Sequence, residues 1–107
     1  MAILSIQRGE TATITISADG ASDFLQIVGK DLRGLMFTSY GTFSATAVAL
    51  KGSLLQDATS SSSHASWKII NADISGGVQE MTEPWSSVFA STSGYSSGTL
   101  TLLVKAY

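Results

Sequence analysis

The sequence predicts an all-β protein: one antiparallel β-sandwich or jelly-roll-like barrel, forming a single domain over residues 1–107. Three observations predict it. Apolar and polar residues alternate with period two along most of the apolar segments. No segment carries an i, i+3, i+4, i+7 stripe, and β-branched residues are common. Turn signals, mostly glycine beside aspartate or serine, separate the segments at short intervals. A chain of this length holds one core and buries between ~60% and ~70% of its unfolded surface.

Residues 1–10 are expected as an edge strand or a contact arm, with Ile3, Leu4 and Ile6 as contact residues. In Thr11-Ala12-Thr13-Ile14-Thr15-Ile16-Ser17 threonines line one face and Ala12, Ile14 and Ile16 the other, as in a half-buried strand. Asp19-Gly20 supplies a turn. Phe24 to Val28 is more continuously apolar and reads as a central strand, closed by Lys30 to Gly34. Leu35 to Tyr40 is the next strand, ended by Gly41. Ala45 to Leu50 alternates alanines with Thr46, Val48 and Leu50, leaving a small-residue face that another sheet or chain can approach. Asp57 to Ala65, with its four serines, reads as the least ordered part, and residues 54–66 as a long flexible loop. Ser66 to Ile70 is short and apolar, with Trp67 expected in the core. Val78 to Met81 and Val88 to Ser91 are weaker strands. The run from Thr99 to Ala106 alternates most clearly of all.

Composition narrows the function. Charged residues make up 13% of the chain, about half the usual share. Net charge is −2, and six scattered cations cannot track a phosphate backbone, so nucleic acid is not an expected partner. No segment approaches the ~18 apolar residues of a membrane helix, and residues 1–20 lack a basic stretch followed by an apolar run. A soluble protein made in the cytosol is expected. A hydrophobic fraction of 44% beside so few charges suits a subunit that hides part of its surface in an assembly.

The sequence offers little chemistry, and an enzyme is not expected. Its one histidine, His64, sits beside Ser63 in the serine-rich loop, and no Gly-x-Ser-x-Gly elbow occurs. One histidine and no cysteine exclude an ordinary zinc site. Asp19, Asp23, Asp31, Asp57 and Asp73 fall in separate turns and form no calcium loop. Glu80 and Glu83 precede Pro84-Trp85, a pattern open to a sugar-stacking site or to an anchored loop. No cofactor or metal is expected. Tyr40, Trp85, Tyr95 and Tyr107 are the candidate contact residues, because their rings combine rigid area with a polar tip.

Gly41-Thr42-Phe43, the small-residue strand Ser44 to Leu50, Gly52-Ser53, and then Trp67 and Ile69 resemble a pattern in small β-sandwich structural proteins of tailed bacteriophages. Gly98-Thr99-Leu100-Thr101-Leu102 is similar to their final strand. The resemblance covers roughly residues 35–70 and 95–107, and departs from the pattern where Leu54 to Ser66 replace a short hairpin turn. It implies a virion structural protein, namely a capsid decoration or cement protein that bridges capsid subunits. The implied partners are the major capsid protein or other virion subunits, in a homo-oligomer located in the virion. A carbohydrate- or receptor-binding module of a phage tail is the alternative.

Overall fold

Alternating β-branched and aromatic residues set the strands of this protein. The structure is a computed structural model and describes residues 2–107. The strands are β1 Ile3–Gln7, β2 Thr11–Ile16, β3 Gly20–Ala21, β4 Phe24–Val28, β5 Leu35–Tyr40, β6 Phe43–Ser44, β7 Ala47–Ser53, β8 Lys68–Asn71, β9 Gln79–Thr82, β10 Ser87–Ser93, β11 Ser97–Gly98 and β12 Leu100–Ala106. One sheet has the order β1-β4-β10-β7-β8, with β3 also on β10. A second, four-stranded sheet has the order β2-β12-β5-β9. A short β6–β11 ladder lies apart from both.

The two sheets form an all-β sandwich, antiparallel except where β1 pairs in parallel with β4. Residues 3–7 thus form an edge strand of the chain's own sheet, with Ile6 buried in the core and Leu4 packed against it. From the larger sheet Leu25, Ile27, Val48, Leu50, Val88 and Ala90 point inward. From the four-stranded sheet Ile14, Ile16, Leu35, Phe37, Leu100, Leu102 and Val104 meet them. Gly52 leaves room for Trp85: a Cβ there would lie 2.6 Å from the indole Cδ2.

The crossing from β8 to β9 is fastened to both sheets. Ile74 is fully buried and its amide donates to Val48 O, while the Val48 amide donates to Asp73 Oδ1. On the other sheet the Ser39 hydroxyl donates to Ile74 O and accepts from the Val78 amide. The β10 ladder shifts register by one residue between its β4 and β3 partners (Ser87↔Gln26, Ser91↔Ala21). There the Ser22 hydroxyl accepts from the Ala90 amide and fills the gap.

The outer face of the larger sheet corrects two expectations. Residues 54–66 form a cap on it rather than a free loop, with a 3₁₀ turn at Gln56–Ser60 that buries Ala58 and Thr59. Gln26 Nε2 donates to Gln56 O and Thr59 Oγ1, Gln56 Nε2 to Ile27 O, and Ser87 Oγ to Leu55 O. Under the cap Phe24 and Phe89 are buried although they point away from the main core. Trp67 belongs to this second cluster and not to the inter-sheet core, with its ring 4.6 Å from Phe89 and 6.1 Å from Phe24. Small side chains explain the docking: serine, alanine and threonine let a loop lie close to a sheet while their hydroxyls satisfy its main chain.

Candidate functional site

Among the described residues, the outer face of the four-stranded sheet has no such cap. Its side chains follow from alternation and register. Leu35, Phe37 and Ser39 point inward from β5, which turns Met36, Thr38 and Tyr40 outward. Met36 lies directly opposite Met81 on β9 and Lys105 on β12, and Lys105 lies opposite Thr11. The next row is Thr13, Leu103, Thr38 and Gln79, and the last is Thr15, Thr101 and Tyr40. Met36, Met81 and Tyr40 are 37%, 62% and 53% exposed. The face is therefore an apolar spine among threonines, with Lys105 as its one charged side chain in these rows. Directly opposed methionines bring two soft, polarisable side chains within contact range, a composition suited to adaptable interfaces.

The sequence-predicted contact residues do not share one surface. Tyr40 stands on this face. Ile3 is exposed on β1, at the edge of the other sheet. Leu4 and Ile6 face the core, so they serve packing rather than contact. Trp85 is partly buried against the core, and its indole N–H donates to Thr82 Oγ1 at 3.0 Å, so both its area and its polar tip are used internally. Tyr95 packs on Phe43 and donates its hydroxyl to Gly98 O at 2.9 Å. Tyr107 lies at the opposite end of the sandwich from Tyr95, beside Gly34. The sequence reading missed Met36 and Met81. The phase of Leu35-Met36-Phe37 was the signal that would have placed Met36 outside.

The chemical candidates are each occupied by local structure. Glu80 accepts from Asn71 Nδ2 with both oxygens, and Glu83 accepts from the Thr82 hydroxyl. Those bonds tie the two carboxylates to different neighbours. His64 Nδ1 accepts from the Ser66 amide at 3.1 Å and lies 2.9 Å from the Ser66 hydroxyl, which also meets Ser53 Oγ at 2.6 Å. This serine–histidine pair is an exposed turn two residues long, and its imidazole lone pair is directed at the turn's own amide. Among the described residues no three His, Cys, Asp or Glu side chains cluster as metal ligands.

No known family and no curated protein matches the chain. Among solved structures, the periplasmic inhibitor of g-type lysozyme PliG from Aeromonas hydrophila aligns over 99% of this chain and 98% of that one. Identity is 11% and the TM-score 0.42, a likeness too slight to transfer any activity. The expected function is corrected to this extent: the comparisons give a neighbour named as a periplasmic lysozyme inhibitor and no virion component, so the capsid decoration and phage-tail readings find no support and are not carried further.

Proposed function

We propose that this protein is a non-catalytic interaction module that associates with a second copy of itself through the outer face of its four-stranded sheet. The observation that carries the reading is the exposed Met36–Met81 pair, continued by Leu103 and Tyr40, on a face that no segment among the described residues covers. The contrast with the other sheet is informative: there the chain folds its own segment over Phe24 and Phe89. Here the equivalent apolar surface is left open. Threonine hydroxyls supply hydrogen bonds at little desolvation cost, and a net charge of −2 gives weak repulsion between copies. Two such faces meeting about a two-fold axis that runs across the strands would place their Lys105 residues at opposite ends.

Sedimentation velocity between about 1 and 100 μM tests the reading. The expected result is a dimer or larger species whose mass falls to the monomer in Met36→Gln/Met81→Lys. The variant should keep the circular dichroism and melting temperature of the parent monomer. A parent chain that stays monomeric at 100 μM, or a variant of undiminished mass, overturns it.

A further inference from the structure

At the end of the sandwich away from Tyr95, three segments surround a concavity of about 350 Å³ lined by Arg8, Gly9, Arg33, Lys105, Ala106 and Tyr107. Half of the chain's six cations line it, and no acidic side chain does, although acids outnumber bases in the sequence by eight to six. The topology creates this. β12 lies between β2 and β5, so its end meets both the β1–β2 turn carrying Arg8 and the segment carrying Arg33. The main chain there is already paired: the Gly9 amide donates to Ala106 O, and the Arg33 and Gly34 amides donate to Tyr107 O. Recognition at this place therefore falls to side chains. Arg8 is held in position by its own bond, Nη1 to Asp31 O at 3.2 Å. Gly9 has positive φ and open space where a Cβ would stand, which keeps one wall of the concavity clear.

We propose that Arg8, Arg33 and Lys105 form a binding site for a multiply charged phosphate-type oxyanion. Two guanidinium forks offer bidentate donors to tetrahedral oxygens, and the ammonium adds a mobile point charge. Where the chain is free after Tyr107, its terminal carboxylate sets one negative charge against three positive. An open concavity that gathers these three charges raises the local concentration of anions more than cations scattered over the surface do. The site shares Lys105 with the proposed association face, so Arg8 and Arg33, which lie outside that face, are the residues whose replacement tests it separately from self-association.

The probes are inorganic phosphate and pyrophosphate, titrated into the full chain at low ionic strength and followed by amide chemical shifts and calorimetry. Pyrophosphate should give saturable shifts confined to Gly9, Gly34, Lys105 and their neighbours, and should bind more tightly than phosphate. Arg33→Ser should weaken pyrophosphate binding by about tenfold and Arg8→Ser/Arg33→Ser should abolish it. Lys51→Ser/Lys68→Ser, with the same change in net charge, should stay within about twofold of the parent. The Arg33→Ser variant guards against loop damage, because only Arg8 bonds to the main chain of the neighbouring segment. Shifts spread evenly over Lys51 and Lys68, equal losses in the two double variants, or no saturation overturn the site. Citrate binding as tightly as pyrophosphate overturns the phosphate assignment. A monomeric protein that still binds pyrophosphate would count against the association face alone.

Discussion

Replacing Trp67 by alanine tests whether residues 54–66 are structural. A tryptophan buries about 150–250 Å² in a core. Trp67 is partly exposed, so about 130 Å² of apolar burial is a reasonable share, and at ~25 cal/mol/Å² this is worth about 3 kcal/mol. A compact unfolded chain already hides part of that surface, which lowers the figure by about a quarter. The edge-on contact with Phe89 at 4.6 Å adds back about 1 kcal/mol. The indole N–H donates to Ser61 O at 2.8 Å in an exposed setting, where water substitutes for it at almost no cost. The expected loss is therefore about 3 kcal/mol, a large part of the ~5–15 kcal/mol that holds a domain together. Trp67→Phe keeps a ring against Phe89 and should lose only about 1 kcal/mol. Urea unfolding followed by circular dichroism measures both variants. Amide exchange at Ser61, His64 and Trp67, whose N–H groups close the turns of the cap, should accelerate in Trp67→Ala. A loss below about 1 kcal/mol in Trp67→Ala would falsify the cap as a packed layer.

Two further outcomes follow from buried and capped polar groups. Thr92 points inward at 5% exposure with its hydroxyl unpartnered among the described residues, so Thr92→Val should stabilise by about 1 kcal/mol and raise Tm by about 5 °C in calorimetry; an unchanged or lower Tm refutes this. The Ser75 hydroxyl, with help from the Ser75 and Val48 amides, holds the Asp73 carboxyl below its ordinary value of 3.8. A depressed carboxyl contributes stability above its unfolded pKa and loses it as pH falls through the folded one. Solvent screening limits this to no more than about 1 kcal/mol. Asp73→Asn should accordingly destabilise at pH 7 and flatten the parent's fall in stability below about pH 4, read from urea midpoints across pH.

Much of the sandwich was legible because burial on one face only leaves an alternating record. β2 and β12 are of this kind, and their inward residues could be named from the sequence. β10 was under-read for the opposite reason. Val88 and Ala90 face the main core while Phe89 faces the cap, so both sides of the strand are buried and alternation disappears. The serine-rich segment was misread because composition alone does not distinguish a solvated loop from one whose hydroxyls are used by the sheet beneath. The apolar Leu54-Leu55 before it and Trp67 after it were the available hints. The cationic concavity was invisible in the sequence, since positions 8, 33 and 105 meet only through the neighbours of β12.

The position of β12 also governs how the molecule can be made. Its ladder with β2 joins Thr11 to Lys105, and its ladder with β5 joins Leu35 to Ala106. Until those late residues leave the ribosome, β2 and β5 have no common neighbour and half of the core has no lid. Folding is thus deferred until residues 100–106 have emerged, and it belongs in the slow, millisecond-to-second class of high-contact-order β proteins. In that interval the threonine–isoleucine edge of β2 is a bare template for stray pairing, and a chaperone that shields it would raise the yield.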